Sequence, residues 1–387
     1  FTYQSTTLKC CFLCIFPAST ELTIAITHRH RTLLLNLPST TTTPTLLCGN
    51  SLGVDMKREY LIAEIGSVHD GSFGNACKLI ELAASCGADV AKFQTHISSA
   101  ETLRNAPMPK YFRGEPRYEY FERTAFSSGQ WRELRRECER HGIGFLSSPF
   151  SIAAVDLLEE IGAGIYKVPS GEVSNRPLLE HLAALGKPVL LSSGMSSWTE
   201  LDQAVEILRD RVELNIMQCT SAYPCPPERA GLNVLAEMRR RYGEGVTLGF
   251  SDHTAGIAAG AAAAALGATV IEKHLTFSRA MYGSDAANAL EPDDFALYCR
   301  SVREVWTMLS HPIDKDDLAP FQEMKRVFEK SVVASRPIAA GCPITRADLE
   351  FKKPGDGIPA AHYKALIGRW ARRDLPVDHK FSLEDFE

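Results

Sequence analysis

The sequence has no apolar run long enough to cross a membrane and no concentrated patch of positive charge. No uninterrupted apolar stretch reaches the roughly 20 residues that a transmembrane helix needs. The 42 Lys and Arg residues are outnumbered by 47 Asp and Glu residues, and the formal net charge is −5. Duplex binding usually needs a clustered basic face, so neither a membrane nor nucleic acid is an expected partner.

A paired cysteine framework is also missing, although the chain has 11 cysteines. Cys11 and Cys14 have the spacing of a metal-ligand pair, but no second Cys or His pair follows, so a zinc half-site is the less favoured interpretation. Scattered free thiols in a chain of this size are typical of a reducing compartment. We therefore expect a cytoplasmic protein.

Acidic residues are nearly missing from residues 1–55, which hold only Glu21 and Asp55 and include the run PSTTTTPT. This segment precedes Met56, the first methionine, and is interpreted as translated upstream sequence, with a Ser/Thr-rich targeting leader as the alternative. We expect residues 1–55 to be disordered. The folded part is then predicted to begin at residue 56.

Eight short apolar segments alternate with amphipathic ones over residues 56–309. The strand candidates are residues 60–65, 89–94, 143–148, 165–170, 188–193, 214–220, 246–251 and 269–274. The segments between them repeat apolar residues at intervals of three and four, as helices packed on a sheet do. Eight such units in about 250 residues predict an α/β fold, a (β/α)8 TIM barrel. A doubly wound open sheet is the alternative, but no Gly-x-Gly-x-x-Gly follows the first strand.

The alternation of strand and helix patterns ends after the predicted barrel. Residues 310–330 are predicted to be a linker with one or two helical turns, and residues 331–387 hold short β-like pieces and turns. A mostly-β domain of about 55 residues is only marginally stable alone. We expect it to be supported by the barrel or by a partner chain.

Polar residues follow almost every predicted strand, at the end of the barrel where TIM-barrel enzymes build their active sites. They include Glu64, Lys92, Gln94, Ser148, Lys167, Ser170, Glu172, Ser192, Ser221, Ser251, His253, Glu272 and His274. Core strands would otherwise be apolar throughout. The pattern therefore predicts a polar site at this mouth.

His253 and His274 flank an Ala/Gly-rich run and close the seventh and eighth strand–helix units. A parallel crossover brings both to the same mouth, where two neutral imidazoles suit Mn²⁺, Zn²⁺ or Fe²⁺ better than Mg²⁺ or Ca²⁺. The alternative is a pair of hydrogen-bonded loop histidines without a metal.

Lys92 and Lys167 are expensive to bury in a barrel mouth unless an anion neutralises them. The nearby serine hydroxyls would donate to the same anion, which indicates a small, multiply charged ligand such as a phosphorylated carboxylate. Ion pairing of the lysines with Glu64 and Glu172 is the alternative.

Three carboxylates at the mouth are candidate general acids or bases: Glu64, Glu172 and Asp285. For each of them, a salt bridge is as good an interpretation as catalysis. Tyr223 lies in the proline-stiffened segment SAYPCPP, where it would stack on a sugar, close the site or simply pack.

These motifs resemble the N-acetylneuraminate (sialic acid) synthase family. The matching segments are IAEIG, HDG, GADVAKFQ, YKVPSGE, GKPVLLSSGM, CTSAYPCPP, GFSDHTAG, ALGATVIEKH and GSD. Their order and spacing agree from about Tyr60 to Leu309, and residues from Ser331 onward resemble the family's C-terminal antifreeze-like (SAF) domain.

The resemblance implies condensation of phosphoenolpyruvate with an open-chain N-acylhexosamine, N-acetylmannosamine or a relative, to a nine-carbon 2-keto sugar acid with release of phosphate. A pseudaminic- or legionaminic-type acid synthase of the same family is an alternative. A Schiff-base aldolase using Lys167 or Lys273 and a catalytically silent carbohydrate-binding protein are the other hypotheses.

The resemblance also implies roles for individual residues. The metal, with Mn²⁺ favoured over Mg²⁺, Co²⁺ or Zn²⁺, would bind His253 and His274. Phosphoenolpyruvate contacts would be Lys92, Ser148, Lys167, Ser170, Ser192, Ser221 and Ser251. Sugar contacts would be Gln94, Glu172, Tyr223 and Asp285, with Glu64 as a base. Family members are homodimers in which each SAF domain caps the partner's barrel.

The chain departs from the family pattern at four positions. Val68 replaces an Asn, Ala286 and Ala289 replace polar residues, and Lys353 replaces an Arg that reaches the N-acyl group of the sugar. Lys lacks the planar fork of Arg, so the identity of the acyl sugar is left open.

Overall fold

The structure is a computed structural model that describes residues 58–107 and 115–387, together with the backbone of a hairpin. In that hairpin, Leu22–His28 pairs antiparallel with Arg31–Leu37. Apart from this hairpin backbone, the predicted leader lies outside the described residues, as do Cys11 and Cys14.

Eight parallel strands close into a barrel, so the TIM-barrel prediction is confirmed and the open sheet is excluded. The strands are β1 (Tyr60–Gly66), β2 (Val90–Thr95), β3 (Gly144–Pro149), β4 (Tyr166–Val168), β5 (Val189–Ser192), β6 (Leu214–Cys219), β7 (Thr247–Asp252) and β8 (Val270–His274). Each strand pairs with its neighbour in sequence, and β8 closes the barrel on β1 with His274 opposite Glu64.

The helices follow the amphipathic segments. They are α1 (Phe73–Ser85), α2 (Ser98–Glu101), α3 (Arg117–Thr124), α4 (Ser128–Arg140), α5 (Ile152–Glu160), α6 (Arg176–Leu185), α7 (Trp198–Leu208), α8 (Asn233–Tyr242), α9 (Ala258–Ala265), α10 (Pro292–Ser310) and α11 (Gln322–Phe328). Serine begins several of them: the side chains of Ser127 and Ser197 cap α4 and α7 in capping boxes with Gln130 and Glu200.

The side chains of each barrel strand alternate between two apolar cores, one between the strands and the helices and one inside the barrel. In β1, Leu61, Ala63 and Ile65 face the helices, whereas Tyr60 and Ile62 belong to an apolar cluster that fills the barrel. Successive side chains of a strand point to opposite faces, so the next residue on the inner side of β1 is Glu64. The apolar plug thus forms the floor of the polar mouth.

The Ala/Gly run between the two histidines is the crossover helix α9, as predicted. It packs against α10, and a Cβ placed on Gly260 would overlap the ring of Tyr298. Tyr298 is fully buried, so the close approach of the two helices depends on the missing side chain.

The C-terminal domain has its own apolar core. Its strands β9 (Ser331–Ala334) and β10 (Leu349–Lys352) pair antiparallel, and α11 lies in the segment that was predicted as a linker. Within residues 58–107 and 115–387, no helix is both long and apolar enough to cross a bilayer.

Candidate active site

A pocket of about 300 Å³ opens among the C-terminal ends of the barrel strands. It is lined by thirteen of the residues predicted from the sequence: Glu64, Lys92, Gln94, Ser148, Lys167, Ser170, Ser192, Ser221, Tyr223, Ser251, His253, His274 and Asp285. The barrel collects them because the carboxyl ends of parallel strands share one edge.

Two predicted site residues lie elsewhere in this chain. β4 ends at Val168, and the 3₁₀ turn that follows carries Glu172 to a neighbouring surface cavity, where its carboxylate accepts from Asn175 Nδ2 at 2.6 Å. Lys353 is in the SAF domain, with its ammonium 5.0 Å from the centre of the Phe328 ring. The structure therefore does not bring Glu172 or Lys353 into the pocket of their own chain.

The buried lysines are paired with two carboxylates inside the pocket. Lys92 Nζ lies 2.8 Å from Glu64 Oε2 and 3.4 Å from Glu272 Oε1, and it donates to Ser148 Oγ at 3.2 Å. Lys167 Nζ lies 3.2 Å from Glu272 Oε2. Of the alternative ion pairs with Glu64 and Glu172, the structure thus has Lys92 with Glu64, whereas Lys167 pairs with Glu272.

The pKa values of the two carboxylates, Glu64 and Glu272, are shifted in opposite directions. Burial raises the pKa of Glu64 to about 7, although Lys92 acts in the other direction. Burial also acts to raise the pKa of Glu272, but Lys167 and Lys92 more than offset it, and the net pKa is well below the usual value. Pairs of acids whose environments separate their pKa values are typical of acid–base sites. Glu64 is the member that titrates near neutral pH.

The two histidines meet at the mouth, with ring centroids 5.5 Å apart. His253 Nδ1 donates to the carbonyl oxygen of Thr220 at 2.9 Å, which leaves Nε2 for a ligand. Burial lowers the pKa of His274 to about 4, and its buried Nδ1 has no hydrogen-bond partner among the described residues. Two adjacent imidazoles, one with an unsatisfied nitrogen, fit a divalent metal.

A complete protein ligand set is not present, because no group of three metal-binding side chains occurs in the described part of the chain. The two histidines would therefore share a metal with water or substrate oxygens. Open coordination positions of this kind are typical of catalytic sites rather than structural ones.

Asp285 is drawn over the mouth by the loop after β8. Its carboxylate oxygen accepts from the backbone nitrogen of Ser67 at 3.0 Å and from Ser67 Oγ at 3.3 Å. Gly66, which has φ +53°, leaves room for it, since a Cβ there would overlap the Asp285 carboxylate. By contrast, Val68, Ala286 and Ala289 are buried and do not line the pocket.

Lys273 points away from the mouth. It lies between Glu272 and His274 on β8, and successive side chains of a strand point to opposite faces. Its ammonium lies 3.1 Å from Asp252 Oδ2, and Lys273 is absent from the residues that line the pocket. A Schiff base at Lys273 is therefore not supported by the geometry.

Several lining residues were not assigned a role from the sequence. They are Ser67, His96, Arg117, Phe121, Phe150, Pro169, Gly171, Met195, Cys219, Glu272 and Ser284. Glu272 was placed at the mouth by the strand pattern but was given no role, although it lies two residues before His274 on one strand and so faces the same side. Arg117 and Phe121 come from α3, in the long connection between β2 and β3, where strand spacing provides no signal.

The fold and the pocket are those of a TIM-barrel enzyme with a polar mouth that contains two buried lysines, followed by a small C-terminal β domain. The chain belongs to the NeuB family, which it matches over residues 79–314, and residues 329–386 match the SAF domain. The family predicted from the motifs is therefore confirmed, together with its sialic-acid-type synthase function at the level of the family.

Individual relatives are similar over nearly their whole length. The chain is 33% identical over 332 residues to N,N'-diacetyllegionaminic acid synthase of Campylobacter jejuni, covering 84% of this chain and 98% of that protein. It is 36% identical over 317 residues to N-acetylneuraminate-9-phosphate synthase of Homo sapiens, covering 80% and 88%. The N-acetylneuraminic acid synthetase structure from Leptospira borgpetersenii matches with a TM-score of 0.62 at 25% identity, covering 78% and 96%.

Proposed function

We propose that the protein condenses phosphoenolpyruvate with an open-chain N-acylhexosamine. A carbon–carbon bond forms between the methylene carbon of phosphoenolpyruvate and the aldehyde carbon of the sugar. Water adds at the enol carbon, phosphate leaves by carbon–oxygen cleavage, and a nine-carbon 2-keto sugar acid results. The observation that carries the proposal is the convergence of two buried lysines and a histidine pair in one pocket.

The inner half of the pocket suits the phosphoryl and carboxylate groups of phosphoenolpyruvate. Lys92 and Lys167 supply positive charge, and the buried hydroxyls of Ser192 and Ser221 have no hydrogen-bond partner in the part of the chain that the structure describes. Unsatisfied buried donors cost free energy, so they favour an anion that accepts from them. Gly194 keeps this space open, because a Cβ there would crowd Ser221 Oγ at 2.5 Å.

The histidine pair suits the aldehyde end of the sugar. His253 and His274 would hold a divalent cation, with Mn²⁺ favoured, and such an ion polarises a carbonyl oxygen as a Lewis acid. Glu64, with its pKa near 7, can accept or release a proton at its carboxylate near neutral pH. Gln94 donates to the same carboxylate at 2.8 Å.

The candidates for the acceptor sugar come from the names of the similar proteins. Their names include a legionaminic acid synthase and an N-acetylneuraminate-9-phosphate synthase, so the candidate substrates are N-acetylmannosamine, its 6-phosphate and a diacetamido-trideoxyhexose. Lys353, where the family has Arg, would help to choose among them through its contact with the N-acyl group.

A homodimer in which each SAF domain caps the partner's barrel would bring Lys353 to a pocket. The segment before the SAF domain supports this arrangement, because it exposes large apolar side chains. They are Met308, Leu309, Ile313, Leu318, Phe321, Met324, Val327 and Phe328. The cysteines of the described region are free thiols, which agrees with action in the reducing cytoplasm.

The direct test is phosphate release from phosphoenolpyruvate with Mn²⁺ and each of the three sugars in turn. We expect turnover with one of them and loss of turnover with a chelator. A folded protein that binds a sugar but releases no phosphate would instead support the silent carbohydrate-binding hypothesis. Borohydride trapping of a Lys167 adduct would support the Schiff-base aldolase.

A further inference from the structure

A line of hydrogen bonds runs to Glu64 through Gln94 from His96 and Glu101, two residues with no role assigned above. Glu101 Oε1 lies 2.8 Å from His96 Nδ1, and His96 Nε2 lies 3.1 Å from Gln94 Oε1. Gln94 Nε2 then donates to Glu64 Oε1 at 2.8 Å. The side chains of His96 and Glu101 are 5% and 4% exposed, so water has little access to the bond between them.

The order of donors and acceptors along this line is determined by its two ends. An ionised Glu64 can only accept, so Gln94 must turn its amide NH₂ group toward it and its oxygen toward His96. His96 must then carry a proton on Nε2, and its Nδ1 faces the carboxyl group of Glu101. The 2.8 Å contact between Nδ1 and the Glu101 carboxyl group then requires a second proton, shared between these two groups, because an unprotonated ring nitrogen and an ionised carboxylate are both acceptors.

Stacking holds the plane of the imidazole in place. The ring of His96 lies between Phe121 and Phe150, with centroid distances of 3.6 and 4.1 Å and interplanar angles of 22° and 20°. The guanidinium of Arg117 covers the Phe121 ring at 4.8 Å. The two phenyl rings leave the imidazole free to bond only in its own plane, toward Gln94 and Glu101.

We propose that His96 and Glu101 are positioning residues that hold the Gln94 amide in the single orientation that donates to Glu64. This inference rests on the proposed function, in which Glu64 handles a proton. Without His96 Nε2–H, the Gln94 oxygen loses its hydrogen-bond donor, and the amide is held only by its own bond to Glu64.

Charged groups surround both ends of the line. Besides Gln94, Glu64 faces Lys92 on β2 and Glu272 on β8, and neither contact involves His96. The charges near His96 are Glu101, Arg117 and Asp285, and burial lowers the pKa of His96. Gln94 is one of the groups that lower the pKa of Glu64, so we expect a less firmly held Gln94 amide to raise that pKa.

The kinetic test uses His96→Phe, which keeps a stacked ring and removes both nitrogens. We expect kcat/KM for the sugar to fall about tenfold and its acid limb to move up by about one pH unit, with KM for phosphoenolpyruvate unchanged. His96→Gln, which can donate to Gln94 again, should restore part of the loss. His141→Phe is the matched control, since His141 forms a surface pair with Glu137 at 3.1 Å.

A second measurement does not depend on activity. Imidazole ¹⁵N NMR of the wild-type protein should show His96 protonated on Nε2 throughout the neutral range. A neutral imidazole protonated on Nδ1 would overturn the proposal, as would a His96→Phe variant with the wild-type pH profile. If the wild type released no phosphate with any sugar, the proposed function would fail while NMR still decided the arrangement of the hydrogen bonds.

Discussion

His253 and His274 lie one strand apart in the barrel, and their rings approach to 5.5 Å at its mouth. His274 ends β8, and His253 directly follows β7. The intervening helix α9 is short and built of Ala and Gly, which lets the crossover lie close to the barrel and to α10. Two imidazoles from adjacent strands are therefore delivered to one point by a simple β–α–β unit.

The first prediction concerns the metal. His274→Ala should weaken Mn²⁺ binding on the order of 100-fold or more, because loss of a direct ligand costs at least as much as loss of its supporting groups. Electron paramagnetic resonance of free Mn²⁺ measures this without any substrate. His141→Ala, on the surface, should bind like the wild type. Equal affinity in all three proteins would remove His274 from the ligands.

The second prediction concerns pH. Because burial raises the pKa of Glu64 to about 7, its carboxylate is ionised above that pH and becomes protonated as the pH falls through it. A base must be ionised to act, so kcat/KM for the sugar should decline on the acid side of neutrality. Glu64→Gln should lower the rate by about 10²- to 10⁴-fold and abolish that limb. A pH profile that kept the limb in the variant would assign it to another group.

The third prediction concerns the anion. Lys167→Met should raise KM for phosphoenolpyruvate on the order of 100-fold, because a buried charge that pairs with the ligand is lost. In this variant the buried Glu272 carboxylate keeps only one of its two lysine partners, Lys92. We therefore expect the variant to have a lower thermal stability than the wild type. Lys187→Met is the control, since Lys187 pairs with Glu159 at the protein surface. An unchanged KM for phosphoenolpyruvate in the Lys167 variant would place the anion elsewhere.

The fourth prediction concerns packing. Gly260→Ala should lower the free energy of unfolding by about 2 kcal/mol, because its Cβ overlaps the buried Tyr298 ring. Gly74→Ala, also in a helix but with no heavy atom closer than 4.0 Å to the new Cβ, should change it by less than about 0.5 kcal/mol. Urea unfolding of both variants measures the difference. Equal stabilities would show that α9 and α10 adjust freely.

The fifth prediction concerns the dimer. His253→Ala disables the barrel, and Lys353→Glu disables the SAF contribution, so each variant alone should be nearly inactive. If the SAF domain acts on the partner's barrel, unfolding and refolding the two together should recover about a quarter of wild-type activity, since half the dimers are mixed and each has one intact site. No recovery, in a mixture shown to be dimeric, would mean that Lys353 does not act across the interface.

Most of the fold could be predicted from the sequence because its signals are local. Each barrel strand begins and ends within about two residues of the predicted segment, since apolar runs and Gly or Pro junctions depend only on near neighbours. The polar residues at strand ends identified the mouth for the same reason. Glu172 lies outside the pocket of its own chain because the strand before it ends at Val168, two residues before the end of the predicted segment, and the turn that follows carries its side chain away.

The local pattern of residues was enough to predict that eight strands alternate with helices and that Lys92, Lys167, His253 and His274 share one mouth. Parallel strands place their carboxyl ends on one edge whatever the details of packing. Three properties follow from the packing of the folded chain: Glu272 pairs with Lys167, the pKa of Glu64 rises to about 7, and His96 reaches Glu64 through Gln94. Those properties depend on distances between strands that are remote in sequence and on the removal of water from charged groups. Neither is contained in the local pattern of residues.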